Sequence, residues 1–174
     1  MDAATIVHHD DEKLRLVSAG ALLLVHIRLR YTHEESAAVH AVQEDLRATV
    51  GRHALLVIVS DVRAELSERA RSFSRHTSAE FADWVVCVAN VIEPRGLIGA
   101  TVRCIMAGLR ALDQPRYPAR EFASVRAAAM WMAPLLRESG IALPFEAESE
   151  LLLEWAERVR APEPLEQQQS SLSS

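Results

Sequence analysis

Hydrophobic and polar positions change their period several times along this chain, and each change marks an element. Lys13 to Val17 alternates, Ser18-Ala19-Gly20 supplies a turn, and Leu22 to Arg30 alternates again. Leu23, Val25, Ile27 and Leu29 share one face while His26, Arg28 and Arg30 share the other, which predicts a β-hairpin covered on one side only. Thr32-His33-Glu34-Glu35 then sets a hydroxyl at a helix cap and a carboxylate three residues on, so that each end of the motif satisfies the other's backbone amide. The helix it opens is predicted to reach about Val50, with Val39, Val42, Leu46 and Val50 as its buried stripe and Gly51 at its C′ position.

Ala54 to Val59 and Trp84 to Ala89 are continuous apolar runs. Such runs belong to strands buried on both faces, the habit of a parallel sheet with helices on each side. Ser67 is read as the cap of a second helix through about Ala79, with Ala70, Phe73 and Thr77 inward. A Glu93-Pro94-Arg95-Gly96 turn leads into an apolar helix from Leu97 to Leu112. Pro115-Arg116-Tyr117-Pro118 and a short Ala119-Arg120-Glu121-Phe122 strand follow. Ser124 caps a helix carrying Ala128, Trp131 and Leu135, which Pro134 is expected to kink or end. Beyond Gly140 a last helix spans about Glu148 to Arg160, with Leu151, Leu152, Trp155 and Val159 on its apolar face. Alternating strands and helices make the class α/β. The organisation expected is a flexible lead over 1–12, one domain over 13–139, a helical extension over 140–161 and a disordered glutamine- and serine-rich tail over 162–174.

Composition narrows this picture. At 174 residues the chain can bury a core without a disulfide or metal staple. A formal net charge of −5 argues against a nucleic-acid partner, which needs concentrated positive surface. The two cysteines, Cys87 and Cys104, lack CxxC spacing and read as buried free thiols in a reducing compartment. The start has no basic signal-peptide region, and the apolar run Ala21 to Val25 is far too short to span a bilayer, so the expected location is cytoplasmic with no membrane partner.

Several groups carry chemistry worth weighing against a plain structural role. His8-His9-Asp10-Asp11 has metal-ligand character, but in a flexible lead the ordering cost favours a solvated tail. His33, His40 and Glu44 fall on one stripe of their helix, a pattern able to bind zinc, although side chains from a single helix favour a wet face and no metal is assigned. Asp61, Ser67, His26 and His53 are the ingredients of a hydrolase. Without a G-x-S-x-G elbow or a nucleotide-binding glycine loop, no catalytic residue and no cofactor is assigned. Gly96-Leu97-Ile98-Gly99 is read as a turn.

The helix Leu97 to Leu112 is the least bland element. Ile98, Val102, Ile105, Met106, Leu109 and Leu112 form a core face, whereas Ala100, Cys104, Ala107, Gly108 and Ala111 form a second, small and smooth one. Arg103 and Arg110 lie between the two. That second face either packs on the last helix of the same chain or meets another surface: a partner, a second copy in a homodimer, or an apolar small molecule, with the arginines meeting carboxylate or phosphate at its edge.

The order of elements resembles a STAS or SpoIIAA-like domain, and more closely the small bacterial proteins labelled STAS/SEC14-like. The resemblance rests on Leu55-Leu56-Val57-Ile58-Val59-Ser60-Asp61, Ser67-Glu68-Arg69-Ala70-Arg71, Trp84 to Ala89 and Gly96 to Leu112. It continues through Pro115-Arg116-Tyr117-Pro118, Arg120-Glu121-Phe122 and Ala128-Ala129-Met130-Trp131. It covers about residues 13 to 133 and implies a mixed sheet flanked by about four helices, with the C-terminal helix outside the family core. It also implies a non-catalytic, cytosolic regulatory or scaffold module of the anti-sigma-factor-antagonist type, working through protein–protein contact. The alternative is a carrier or sensor of an apolar, lipid-like molecule. In this family a serine at the position of Ser67 is a phosphorylation switch. Here Leu66-Ser67-Glu68-Arg69 lacks the flanking Asp and Gly of switched members, and a helix cap is the favoured reading. The resulting candidate partner or ligand surface is Ser67, Arg71, Arg103, Cys104, Ala107, Arg110 and Ala111.

Overall fold

A computed structural model describes residues 5–29, 31–60, 76, 79–93, 116–141 and 149–160. These build a six-stranded mixed sheet from β1 (Thr5–Asp10), β2 (Leu14–Ala19), β3 (Leu22–Ile27), β4 (His53–Val59), β5 (Val85–Ile92) and β6 (Ala119–Phe122). The spatial order follows the chain order, antiparallel from β1 to β3 and parallel from β3 to β6. The described helices are α1 (His33–Thr49), α2 (Val125–Glu138) and α3 (Ser149–Arg160). The predicted helices over 67–79 and 97–112 lie outside the described residues.

Two hydrophobic cores sandwich the sheet. Leu14, Leu16, Leu23, Val25 and Leu55 meet Val39, Val42 and Leu46 of α1, together with Phe81. On the opposite face Val17, Leu22, Leu24, Leu56, Ile58 and Val91 meet Ala128, Met132 and Leu136 of α2 and Leu152, Trp155 and Val159 of α3. The continuous aliphatic run of β4 is therefore buried from both sides, as its pattern predicts. In β5 a register irregularity opposite His53–Leu55 lets Val86 and Cys87 both enter the core shared with α2, the effect of a β-bulge.

Local signals decide the ends of the helices. Thr32 caps α1: its side chain accepts from the Glu34 amide, and the Glu35 carboxylate accepts from the Thr32 amide at 2.7 Å. Burial works to raise the pKa of Glu35, but hydrogen bonds from Thr32 outweigh it and hold the carboxyl below its ordinary value. Gly51 follows the C-cap with φ +78°, a left-handed conformation that a Cβ would strain. Ser124 caps α2, which continues through Pro134. Pro134 is exposed and the helix does not end there.

Several expectations need correction. Residues 5–10 are an edge strand rather than a flexible lead. Asp10 accepts from Arg28 at 2.9 Å and faces Arg15 at 3.2 Å, and the Trp155 indole N–H donates to Thr5 at 3.4 Å. The hairpin β2–β3 is buried on both faces, because α2 and α3 cover the side expected to be wet, while Leu29 is exposed. Val50 is exposed at the C-cap instead of completing the buried stripe. The buried face of α2 takes in the expected Ala128 with Ala129, Met132, Ala133 and Leu136, and the expected Trp131 and Leu135 pack half-buried against the same core. The helix expected as an extension, α3, is part of the main core, with Leu152 and Ala156 fully buried.

Candidate functional site

The parallel strands β3, β4 and β5 end side by side, and a polar group lies at or just beyond each end. His26 is the penultimate residue of β3, Ser60 follows β4 and Glu93 follows β5. Backbone bonds extend the ladder to these positions: Ser60 N–H donates to Ile27 O at 3.0 Å and Glu93 N–H to Val59 O at 3.1 Å. This is the end of an open α/β sheet where ligand sites are usually built. The C-terminal turn of α3 delivers Arg160 to the same place, ion-paired with Glu93 and 3.5 Å from Glu157.

The hydrogen bonds run in one direction. A carboxylate accepts only, so the Ser60 hydroxyl donates its single proton to Glu93 Oε2 at 2.8 Å. His26 Nε2 lies 2.7 Å from Ser60 Oγ and must then be the donor. His26 is consequently the Nε2–H tautomer. Its Nδ1 is buried and has no hydrogen-bond partner among the described residues. Burial, reinforced by the neighbouring Arg28 charge, pushes the His26 pKa down to about 4, so the ring is neutral at physiological pH. In a hydrolytic triad the imidazole takes the serine proton and the acid orients the imidazole. Here the acid holds the serine, and the imidazole already carries a proton on the nitrogen facing it.

Beside this network a groove of about 370 Å³ runs between the start of α2 and the outer face of α3. Arg126, Leu153, Glu157 and Arg160 line it together with Glu93 and the Ser124 cap. Arg126 also pairs with Glu150 at 3.0 Å, but both side chains are well exposed and water screens the pair. Both signs of charge therefore rim an open, shallow surface.

Other candidates resolve differently. The Cys87 thiol is fully buried and its pKa is pushed up to about 12 by that burial, which makes it a packing residue rather than a nucleophile. His53 is buried beneath α1 between Gly51 O at 3.2 Å and the Gln43 amide at 3.4 Å, and burial lowers its pKa. His53 Nδ1 faces Gly51 O and Nε2 faces Gln43 Oε1, so whichever ring nitrogen carries the proton has a carbonyl oxygen to donate to. His8 accepts or donates at Ser18 (2.7 Å) and His9 lies 3.0 Å from Asp11, so this string belongs to the β1 edge. His40 and Glu44 stay together on α1 as expected, whereas His33 is two turns away, about 10 Å along the axis. Their third neighbour is Glu80, whose carboxylate is 3.1 Å from His40 Nε2.

Ser67, Arg71, Arg103, Cys104, Ala107, Arg110 and Ala111 all lie outside the described residues, as does Asp61. Sequence reasoning missed Ser60, Glu93, Arg126 and Arg160. A signal for one of them was present: Ser60 is the polar residue that directly follows the apolar run Ala54 to Val59. Among the described residues no helix is long and apolar enough to cross a membrane. Searches of family models, curated proteins and solved structures find no match to this chain.

Proposed function

We propose that this chain is a regulatory or scaffold module that works through protein–protein contact, with the groove between α2 and α3 at the sheet's C-terminal edge as a docking surface. The observation that carries this reading is the direction of the His26–Ser60–Glu93–Arg160 network. It leaves Ser60 without a base and Glu93 neutralised, beside a shallow groove of mixed charge. Paired charges around a small apolar centre, here Leu153 among Arg126, Glu157 and Arg160, match the rim-and-core pattern of protein interfaces. Concentrated positive charge, which a nucleic acid would need, is missing from this rim. The STAS-type identity belongs to the same proposal. The hairpin, capped helix and run of parallel strands support it, and the partner would be of the kind such modules regulate. The carrier of an apolar molecule remains the second reading, favoured by the smooth face expected on residues 97–112.

Affinity capture from the source cells, with proteins and lipids identified together, tests both. The result expected is a protein retained by the wild-type chain and lost from Arg126→Glu, which reverses one rim charge without touching the core. A retained lipid with no such protein supports the carrier instead. Recovery of neither counts against both.

A further inference from the structure

We propose that His40, Glu44 and Glu80 form a binding site for a divalent transition-metal ion, Zn²⁺ in the first instance, which ties α1 to the segment ahead of β5. Their ligand atoms, one imidazole nitrogen and two carboxylate oxygens, all lie within 4.8 Å of one another. His40 and Glu44 are one helical turn apart, so α1 itself sets their spacing. Glu80 comes from a different part of the chain, forty residues from His40 in sequence, and its carboxylate is 3.1 Å from His40 Nε2. Ligands drawn from two elements distinguish this cluster from a charged helix face.

The surroundings hold the ligands in place. Phe81, adjacent to Glu80, is 1% exposed and anchors that segment in the core. The His40 ring meets Phe81 edge-on at 5.3 Å between centroids, which limits the orientations the imidazole can take. Glu44 has Arg47 at 3.3 Å, and the Arg47 guanidinium also stacks over Phe81 at 5.7 Å. A carboxylate has two oxygens, so Glu44 can keep Arg47 on one and offer the other. Among the described residues Glu80 pairs with His40. The cluster therefore gathers two carboxylates around one imidazole, with Arg47 beside Glu44, and a divalent ion can bridge the three.

The donor set selects the ion. One nitrogen and two carboxylates, partly exposed so that water can complete the sphere, match the three-ligand-plus-water pattern of open zinc sites. Mg²⁺ and Ca²⁺ prefer all-oxygen shells, and here one donor is imidazole. Because the ligands come from α1 and the segment before β5, bound ion would favour the folded chain over the unfolded one.

Isothermal titration of the metal-free full-length chain with ZnCl₂ tests the site. His9 and Asp11, 3.0 Å apart at the end of β1, are another histidine–carboxylate pair, so His9→Gln serves as the control. One saturable Zn²⁺ equivalent is expected, unchanged in His9→Gln. Loss of a direct ligand should weaken it at least as much as loss of an outer-shell partner, about 10- to 100-fold, in both Glu80→Gln and His40→Gln. Glu80 is exposed, so its variant stays informative even if His40→Gln disturbs the packing on Phe81. Wild-type protein that binds no Zn²⁺ saturably overturns the proposal, as does binding that survives both ligand substitutions or is lost in His9→Gln.

Discussion

His26 Nε2 lies 2.7 Å from Ser60 Oγ although 34 residues separate them. Parallel pairing of β3 with β4, which sets His26 opposite Ile58, brings them together. The bond is one link of a chain that ends at Arg160, so each member depends on the next. Ser60→Ala removes the acceptor for a buried imidazole N–H and is expected to cost about 1–3 kcal/mol. Glu93→Gln should cost a similar amount, and the double variant less than the two together, because both break one network. Urea unfolding of the three variants checks this; strictly additive losses would show that the links act independently.

The same histidine gives the fold a dependence on pH. Burial lowers its folded-state pKa to about 4, below the ordinary value of about 6.5 that holds in the unfolded chain. As pH falls, the unfolded chain takes up a proton that the folded chain refuses. Stability should therefore decline from near pH 6.5 until about pH 4, by roughly 3 kcal/mol from His26 alone. His53, lowered by its own burial, acts in the same direction. Glu35 and Asp11 are held below the ordinary carboxylate range, mainly by hydrogen bonds that outweigh their burial, so their share is lost at lower pH still. Urea midpoints at pH 7.5, 5.5 and 4.5 measure the slope, and His26→Gln should flatten it.

Neighbouring leucines on α3 test whether that helix is core or appendage. Leu152 is fully buried against the sheet and Leu151 is 38% exposed. Leu152→Ala should cost about 2–5 kcal/mol through lost burial and a residual cavity. Leu151→Ala should stay within about 0.5 kcal/mol. Thermal unfolding separates the two, and equal effects would mean that α3 does not pack as described.

Asp10 plays a comparable part at the other end of the chain. Its carboxylate faces the buried Arg15 and the half-buried Arg28. Asp10→Asn removes a countercharge from Arg15 and is expected to cost about 1.5–3 kcal/mol, the range for a hydrogen bond to a charged group. Hydrogen exchange should then rise first in β1 and β2. An unchanged exchange pattern would return residues 5–10 to the status of a loose lead.

What the sequence revealed follows the range of the interactions. The Thr32–Glu35 capping box, the β4 run, the β6 strand and the Ser124 cap depend on neighbours within four residues, and their patterns are visible directly. The β1 strand is not, because its order comes from Arg15, Arg28 and Trp155, the last of them 150 residues from Thr5. The buried hairpin is hidden for the same reason: its second cover is α3. At the candidate site, His26, Ser60, Glu93 and Arg160 each look unremarkable in their own segments. Strand order sets the first three side by side, and α3 brings Arg160 to them. The pairing of Glu80 with His40 is equally non-local. The smooth face of residues 97–112 and the position of Ser67 stay as expectations from pattern and resemblance.

The proton on His26 decides between a binding edge and a latent nucleophile. Nitrogen-15 NMR of the imidazole reads it directly, through the coupling of each ring nitrogen to the carbon-bound protons. The account predicts one neutral tautomer, protonated on Nε2 and bare on Nδ1, unchanged between pH 7.5 and about pH 5. A bare Nε2 facing Ser60, with the proton on Nδ1, would make His26 a base for that hydroxyl and contradict the reading of this site as a docking surface.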